Sequence, residues 1–147
     1  MVTAYLDVIK LAGDVARGKT LFEENCGKCH TARREGGRVG PDLSGVNNKT
    51  KEELLASILN PSLSIDPRFV NYMVTTKDGR MFDGVISNET PGAITLRGGS
   101  ADGDQTILRQ GIAEIRASNV SLMPDEFEKT LDRQGLADVI AYLRAGL

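Results

Sequence analysis

Five consecutive residues, Cys26-Gly27-Lys28-Cys29-His30, hold both cysteines and the single histidine of the 147-residue chain. On a helical turn the thiols lie three positions apart and the imidazole four from the first, so all three project to one side. A thioredoxin-like dithiol would want a βαβ context, whereas this motif ends a helical pattern and opens a Gly-rich loop. A structural zinc site would want four N or S ligands, more than two cysteines and one histidine supply. A disulfide between residues so close would gain little and leaves the adjacent histidine without a role. Cys-x-x-Cys-His is instead the attachment signature of c-type haem. Each thiol adds across a vinyl group, and the imidazole coordinates the iron from the proximal side. The expected cofactor is one haem c per chain, held by Cys26, Cys29 and His30.

With His30 spent, the soft donor left for the sixth position of the iron is methionine. The chain has four. Met1 is terminal, and Met73 and Met81 fall in predicted strands, where ordinary packing accounts for them. Met123 lies in the loop Ser121-Leu122-Met123-Pro124, just ahead of the last helical pattern. From the residues alone it reads either as the ligand or as a hydrophobic contact.

Eighteen basic and twenty acidic side chains give a net charge of −2. No region is basic enough for a nucleic-acid binder that works by neutralising phosphates. No apolar run approaches the roughly 20 residues that cross a bilayer, so no transmembrane segment is expected. The start of the chain lacks a basic region, and Asp7 and Lys10 interrupt any apolar stretch, so it does not read as a signal peptide.

Ala4 to Leu11 fits a short helix, and Asp14 caps a second from Val15 to about Asn25. Residues 31–48 are loop, rich in glycine. Thr50-x-x-Glu53 forms a capping box for a helix that stops at Asn60-Pro61. The period then changes. Val70, Tyr72, Val74 and Thr76 alternate with polar or flexible neighbours, and Lys77-Asp78-Gly79 turns the chain into a second strand, 80–86. Shorter strands are expected at 93–96, 106–108 and 112–115, giving a small antiparallel sheet or partial barrel. A short helical turn is expected from Asp125 to Leu131. Asp132 then caps a helix from Arg133 to Ala145 with a stripe of Leu136, Val139, Ile140 and Leu143.

The Cys-x-x-Cys-His helix, Gly40-Pro41-Asp42-Leu43, a Met-Pro loop and the final Asp138-Val139-Ile140-Ala141-Tyr142-Leu143 resemble class I cytochromes c over residues 14–68 and 119–147. The resemblance implies that the first and last helices cross at Gly18, Phe22 and Tyr142. It also implies that the Pro41 carbonyl holds the second nitrogen of His30, and that Met123 is the distal ligand. The wider pattern is similar to the Pirellula/Verrucomicrobium-type haem-binding domain. It includes Gly36-Gly37-x-x-Gly40-Pro41, Lys77-Asp78-Gly79-Arg80 and Arg116-Ala117-Ser118-x-x-Ser121-Leu122-Met123-Pro124. It departs from that family in two places: Asp125-Glu126-Phe127 stands where the family usually has an acidic residue, glycine and an aliphatic one, and Gly135 replaces a more usual acidic residue.

The fold expected is mainly α: a class I cytochrome c-like helical fold with an inserted small antiparallel β unit. It forms one domain over 1–147, helical at 14–68 and 119–147, with the insertion at about 69–118. The resemblance implies an electron carrier and not an enzyme, with iron between His30 and Met123. It also implies a periplasmic or otherwise extracytoplasmic location and a redox partner protein, such as a fused or adjacent dehydrogenase. Two alternatives stand beside it: a haem-based enzyme or sensor with a labile sixth ligand, and a partner-docking module that uses the β insertion. Lys28, Arg33, Arg34 and Arg38 form a basic cluster that reads either as a solvated loop face or as steering for an acidic partner.

Overall fold

The computed structural model describes residues 2–99 and 103–146; Met1, set aside above as a ligand, lies outside them. In chain order the elements are α1 (Val15–Asn25), β1 (Thr31–Ala32), β2 (Glu35–Gly36), α2 (Lys51–Leu59), β3 (Tyr72–Thr76), β4 (Met81–Glu89), β5 (Ala93–Gly98), β6 (Gln105–Leu108), β7 (Ile112–Ala117) and α3 (Arg133–Arg144). They gather into two compact units, Met1–Ser64 with Pro124–Leu147, and Ile65–Met123.

In the first unit each α-helix starts where a side chain meets an orphan N–H. Asp14 accepts from Arg17 N–H at 2.8 Å, and Asp132 accepts from Gly135 N–H at 2.7 Å. Thr50 and Glu53 cap each other's backbones in a complete capping box. α1 and α3 then cross tightly. A Cβ on Gly18 would overlap the carbonyl of Asp138, so only glycine lets the backbones approach this closely. One turn on, the rings of Phe22 and Tyr142 meet with centroids 5.4 Å apart. Leu54, Leu55 and Leu59 of α2 complete the core with Leu136, Val139 and Ile140 of α3. The segment Val2–Lys10 is a 3₁₀ helix that buries Val8. It is tied down by Lys51 Nζ, which donates to the Ile9 carbonyl at 3.0 Å, and by an Arg133–Asp7 ion pair.

The chain turns between β1 and β2 through Arg33 and Arg34, both left-handed, with φ of 54° and 70°. Such hairpin turns prefer Asn and Gly, and arginine pays a backbone cost here. The compensation is visible in Arg33, whose guanidinium lies 4.4 Å from the Tyr142 ring centroid and so pins the hairpin to α3. Of the basic cluster, Arg33 therefore turns inward, while Lys28, Arg34 and Arg38 are exposed.

The second unit is a five-stranded antiparallel sheet in the order β6-β5-β4-β3-β7. Val74, Ile94, Leu96 and Ile107 form its own core, with Tyr72, Phe82, Ile86 and Ile112 against them. β6 and β7 are the two edges, yet only Arg109–Gly111 joins them. A flat five-stranded sheet would set its edges roughly 19 Å apart, and such a link reaches about 14 Å. The sheet must curl toward a partial barrel.

The expectation of a mainly α fold is corrected here. Among the described residues 37% are helical, 3₁₀ segments included, and 24% lie in strands, and the sheet has five strands. The reason is physical. The α-helices are short, and the loop 31–48 adds a β-hairpin beside a single 3₁₀ turn, Val46–Asn48. The alternating segment is long enough to bury a separate core, so the sheet is no small appendage.

Candidate functional site

The motif begins where α1 ends. Cys26 and Gly27 N–H both donate to the Phe22 carbonyl at 2.8 Å, and His30 N–H donates to Cys26 O at 2.9 Å. One further tight turn thus places Cys26, Cys29 and His30 beyond the helix. The Gly-rich loop then wraps this turn with backbone bonds. Gly37 N–H donates to Gly27 O at 2.8 Å, and Gly40 N–H to Cys29 O at 2.7 Å. Leu43 N–H donates to Thr31 O at 2.8 Å, and the Thr31 hydroxyl to Gly37 O at 2.7 Å.

His30 is only 9% exposed. Its Nδ1 lies 2.8 Å from the Pro41 carbonyl oxygen. A carbonyl can only accept, so the Nδ1–H donates, and the lone pair of the neutral ring resides on Nε2. That is the tautomer an imidazole needs to bind a metal through Nε2, with the carbonyl fixing the ring's orientation. Gly40 lies against the same ring: a Cβ there would come within 2.5 Å of Cε1 and 2.8 Å of Nδ1. The bare glycine lets the loop lie flat on the imidazole. Sequence reasoning took Gly40-Pro41 only as a turn, and the resemblance alone pointed to Pro41.

Both cysteines are free thiols. Burial, and then the neighbouring Cys29, push the Cys26 thiol up to about 11, so it stays protonated at neutral pH. Cys29 is exposed. Among the described residues no three His, Cys, Asp or Glu side chains converge on a bare metal ion. One exposed and one partly buried thiol beside an oriented imidazole fit a tethered porphyrin, in which the macrocycle supplies the remaining donors to iron.

The other predicted site residue, Met123, is the last residue of the second unit and is half-buried. Its N–H donates to Ser121 Oγ at 3.1 Å. Met73 and Met81, 37% and 70% exposed, share the sheet face opposite Val74, as the Thr75–Met81 and Met73–Asp83 pairings require.

The family model for cytochrome c matches residues 15–89, just over half of the chain. The chain belongs to the cytochrome c family. Membership brings covalently bound haem c with its iron, the group that the motif's donor set fits. A cytochrome c of Chlamydomonas reinhardtii is 47% identical over 36 residues, 24% of this chain and 32% of that protein. One of Arabidopsis thaliana is 44% identical over 39 residues, 26% of this chain and 35% of that protein. A cytochrome c-553-like protein of Synechocystis sp. is 38% identical over 45 residues, 31% of this chain and 42% of that protein. The chain thus spans about a third of the length of these curated relatives. Among the described residues no helix is long and apolar enough to cross a membrane.

Proposed function

We propose that this cytochrome c chain transfers single electrons, with Cys26 and Cys29 carrying the two thioether links, His30 Nε2 binding the iron and Met123 completing its coordination. The observation that carries the reading is the 2.8 Å contact of His30 Nδ1 with the Pro41 carbonyl, which leaves Nε2 as the free donor. The haem, when bound, supplies a one-electron couple at its iron. The chain supplies the rest. Two thioethers fix the ring against loss, and Pro41 and Gly40 hold the imidazole in one orientation. A thioether together with a histidine would favour the reduced state more than two histidines would. The two units act as one domain, helical at 14–68 and 119–147, with the β segment about 69–118 inserted between histidine and methionine.

The reaction needs a redox partner protein, and a fused or adjacent dehydrogenase suits a carrier of this kind. A periplasmic or otherwise extracytoplasmic location suits covalent haem attachment. The Pirellula/Verrucomicrobium-type resemblance belongs to this same proposal.

Protein made with c-type maturation machinery should keep its pyridine-haemochrome spectrum in the protein phase after acid–acetone extraction. Changing Cys26 and Cys29 together to alanine should make the colour extractable. Colour lost to the solvent from the unaltered protein would refute covalent attachment. Rapid carbon monoxide binding by the reduced protein at neutral pH would refute a sixth position closed by methionine.

A further inference from the structure

We propose that Ser121 is a positioning residue for the sixth ligand, setting how readily the Met123 thioether leaves the iron; the inference rests on Met123 being that ligand. Hydrogen bonds hold the loop between β7 and Met123, among them three along its backbone. Ser118 N–H donates to the Asn71 carbonyl at 2.8 Å, at the foot of β3. Val120 N–H donates to Ser118 Oγ at 3.0 Å. Met123 N–H donates to Ser121 Oγ at 3.1 Å. Two serines, each catching the N–H two residues on, convert an irregular stretch into successive local turns.

The last of these bonds differs from the others because it acts on Met123 itself. On its other side Met123 is followed by Pro124, whose ring biases the preceding residue toward extended backbone. The residue is thus restrained on both flanks. A methionine side chain has three rotatable bonds, and its loss from a metal is favoured by every further degree of freedom. Fixing its backbone beforehand removes part of that entropic drive. Ser121 contributes no ligand atom, and its effect travels through the Met123 amide.

Imidazole provides the probe, since it binds ferric iron only where the sixth position has opened. Its apparent affinity rises with the open fraction. Losing one such hydrogen bond should raise the imidazole affinity of the ferric holoprotein about fivefold in Ser121→Ala. Ser121→Thr, which keeps the hydroxyl, should stay near the unaltered value. Ser118→Ala should move the affinity in the same direction by less. Thr50→Ala, which breaks the α2 cap, should lower the melting temperature and leave imidazole affinity unchanged.

The far-red ferric charge-transfer band of methionine–iron bonding separates the two layers of inference. If Met123→Ala abolishes that band while neither serine variant shifts imidazole affinity by as much as twofold, the positioning role is overturned and the ligand assignment stands. If Met123→Ala keeps the band, the ligand assignment fails and takes this proposal with it.

Discussion

Asp14 and Asp138, 124 positions apart in the chain, are joined directly: the Asp14 N–H donates to Asp138 Oδ1 at 2.7 Å. The same carboxylate, 2% exposed, accepts from Arg17 Nε at 2.9 Å and from the Gln134 amide at 2.9 Å. The acid that starts α1 is thereby anchored on α3, one turn from the Gly18 crossing. Burial alone would push the Asp138 carboxyl up. The Arg17 side chain, the Asp14 N–H and Gln134 outweigh it and hold the carboxyl below its ordinary range.

Asp138→Ala should cost about 2 kcal/mol of stability, because it takes the acceptor from the part-buried Asp14 N–H and one of the two acceptors of the Gln134 amide. Urea unfolding of the holoprotein measures this. The pH dependence follows from the lowered carboxyl. Its stabilisation is complete above the unfolded-state pKa, near 4, and is lost as pH falls through the lower folded value. The alanine variant should therefore lose less stability between pH 6 and pH 3 than the unaltered protein.

Glu126 sits in the left-handed region, with φ 68° and ψ 23°. A side chain there costs about 1 kcal/mol of backbone strain. Glu126→Gly should therefore raise stability by about that amount, less what glycine adds to the freedom of the unfolded chain. The Glu126–Lys129 ion pair it removes is solvent-exposed and offsets little. Thermal unfolding followed at the haem should show a higher melting temperature with an unchanged visible spectrum.

Local chemistry made much of this fold legible. Asp14, Thr50 and Asp132 announce their helices because capping is decided within four residues. Val74 and its alternating neighbours announce a strand, and Asp78-Gly79 its turn. Other features were hidden for reasons as definite. Strand β4 runs to Glu89, but a register shift between Ile86 and Asn88 breaks the alternation that would reveal it. The β1–β2 hairpin turns on Arg33 and Arg34, residues that carry no turn signal. The partnering of β7 with β3 is a long-range pairing that no local pattern encodes. Those omissions left the strand share understated. At the site, spacing alone makes Cys26, Cys29 and His30 a set. The fit of Gly40 against the imidazole depends on a loop path that no spacing encodes. Asp138 did leave a signal, an acid inside the otherwise apolar run Leu136 to Ile140.

Gly40→Ala tests how closely the loop holds the histidine. A methyl group 2.5 Å from Cε1 cannot be accommodated without tilting the ring or moving the loop. Either movement lengthens the Nδ1–H bond to Pro41, which makes the imidazole a poorer donor to the metal. The variant should retain its covalent haem and show altered hyperfine shifts of the His30 ring protons in the ferric NMR spectrum. Its reduction potential should rise, because a weaker donor stabilises the ferric state less. An unchanged spectrum and potential would mean that the loop yields freely.

The assignment of the distal methionine makes the sharpest demand on the structure. Met73 and Met81 are held by the ladder pairings Met73–Asp83 and Thr75–Met81, on the face turned away from Val74. Strand hydrogen bonds would have to break before either could be redirected. Met123 lies instead in irregular backbone after β7, where its side chain can be aimed without dismantling the sheet. Met123→Ala should abolish the far-red ferric band and lower the reduction potential, since water or a nitrogen donor stabilises ferric iron better than a thioether does. Met73→Ala and Met81→Ala should leave both unchanged. Loss of the band in either strand variant, with its survival in Met123→Ala, would place the ligand on the sheet and require β3 or β4 to open when haem is bound.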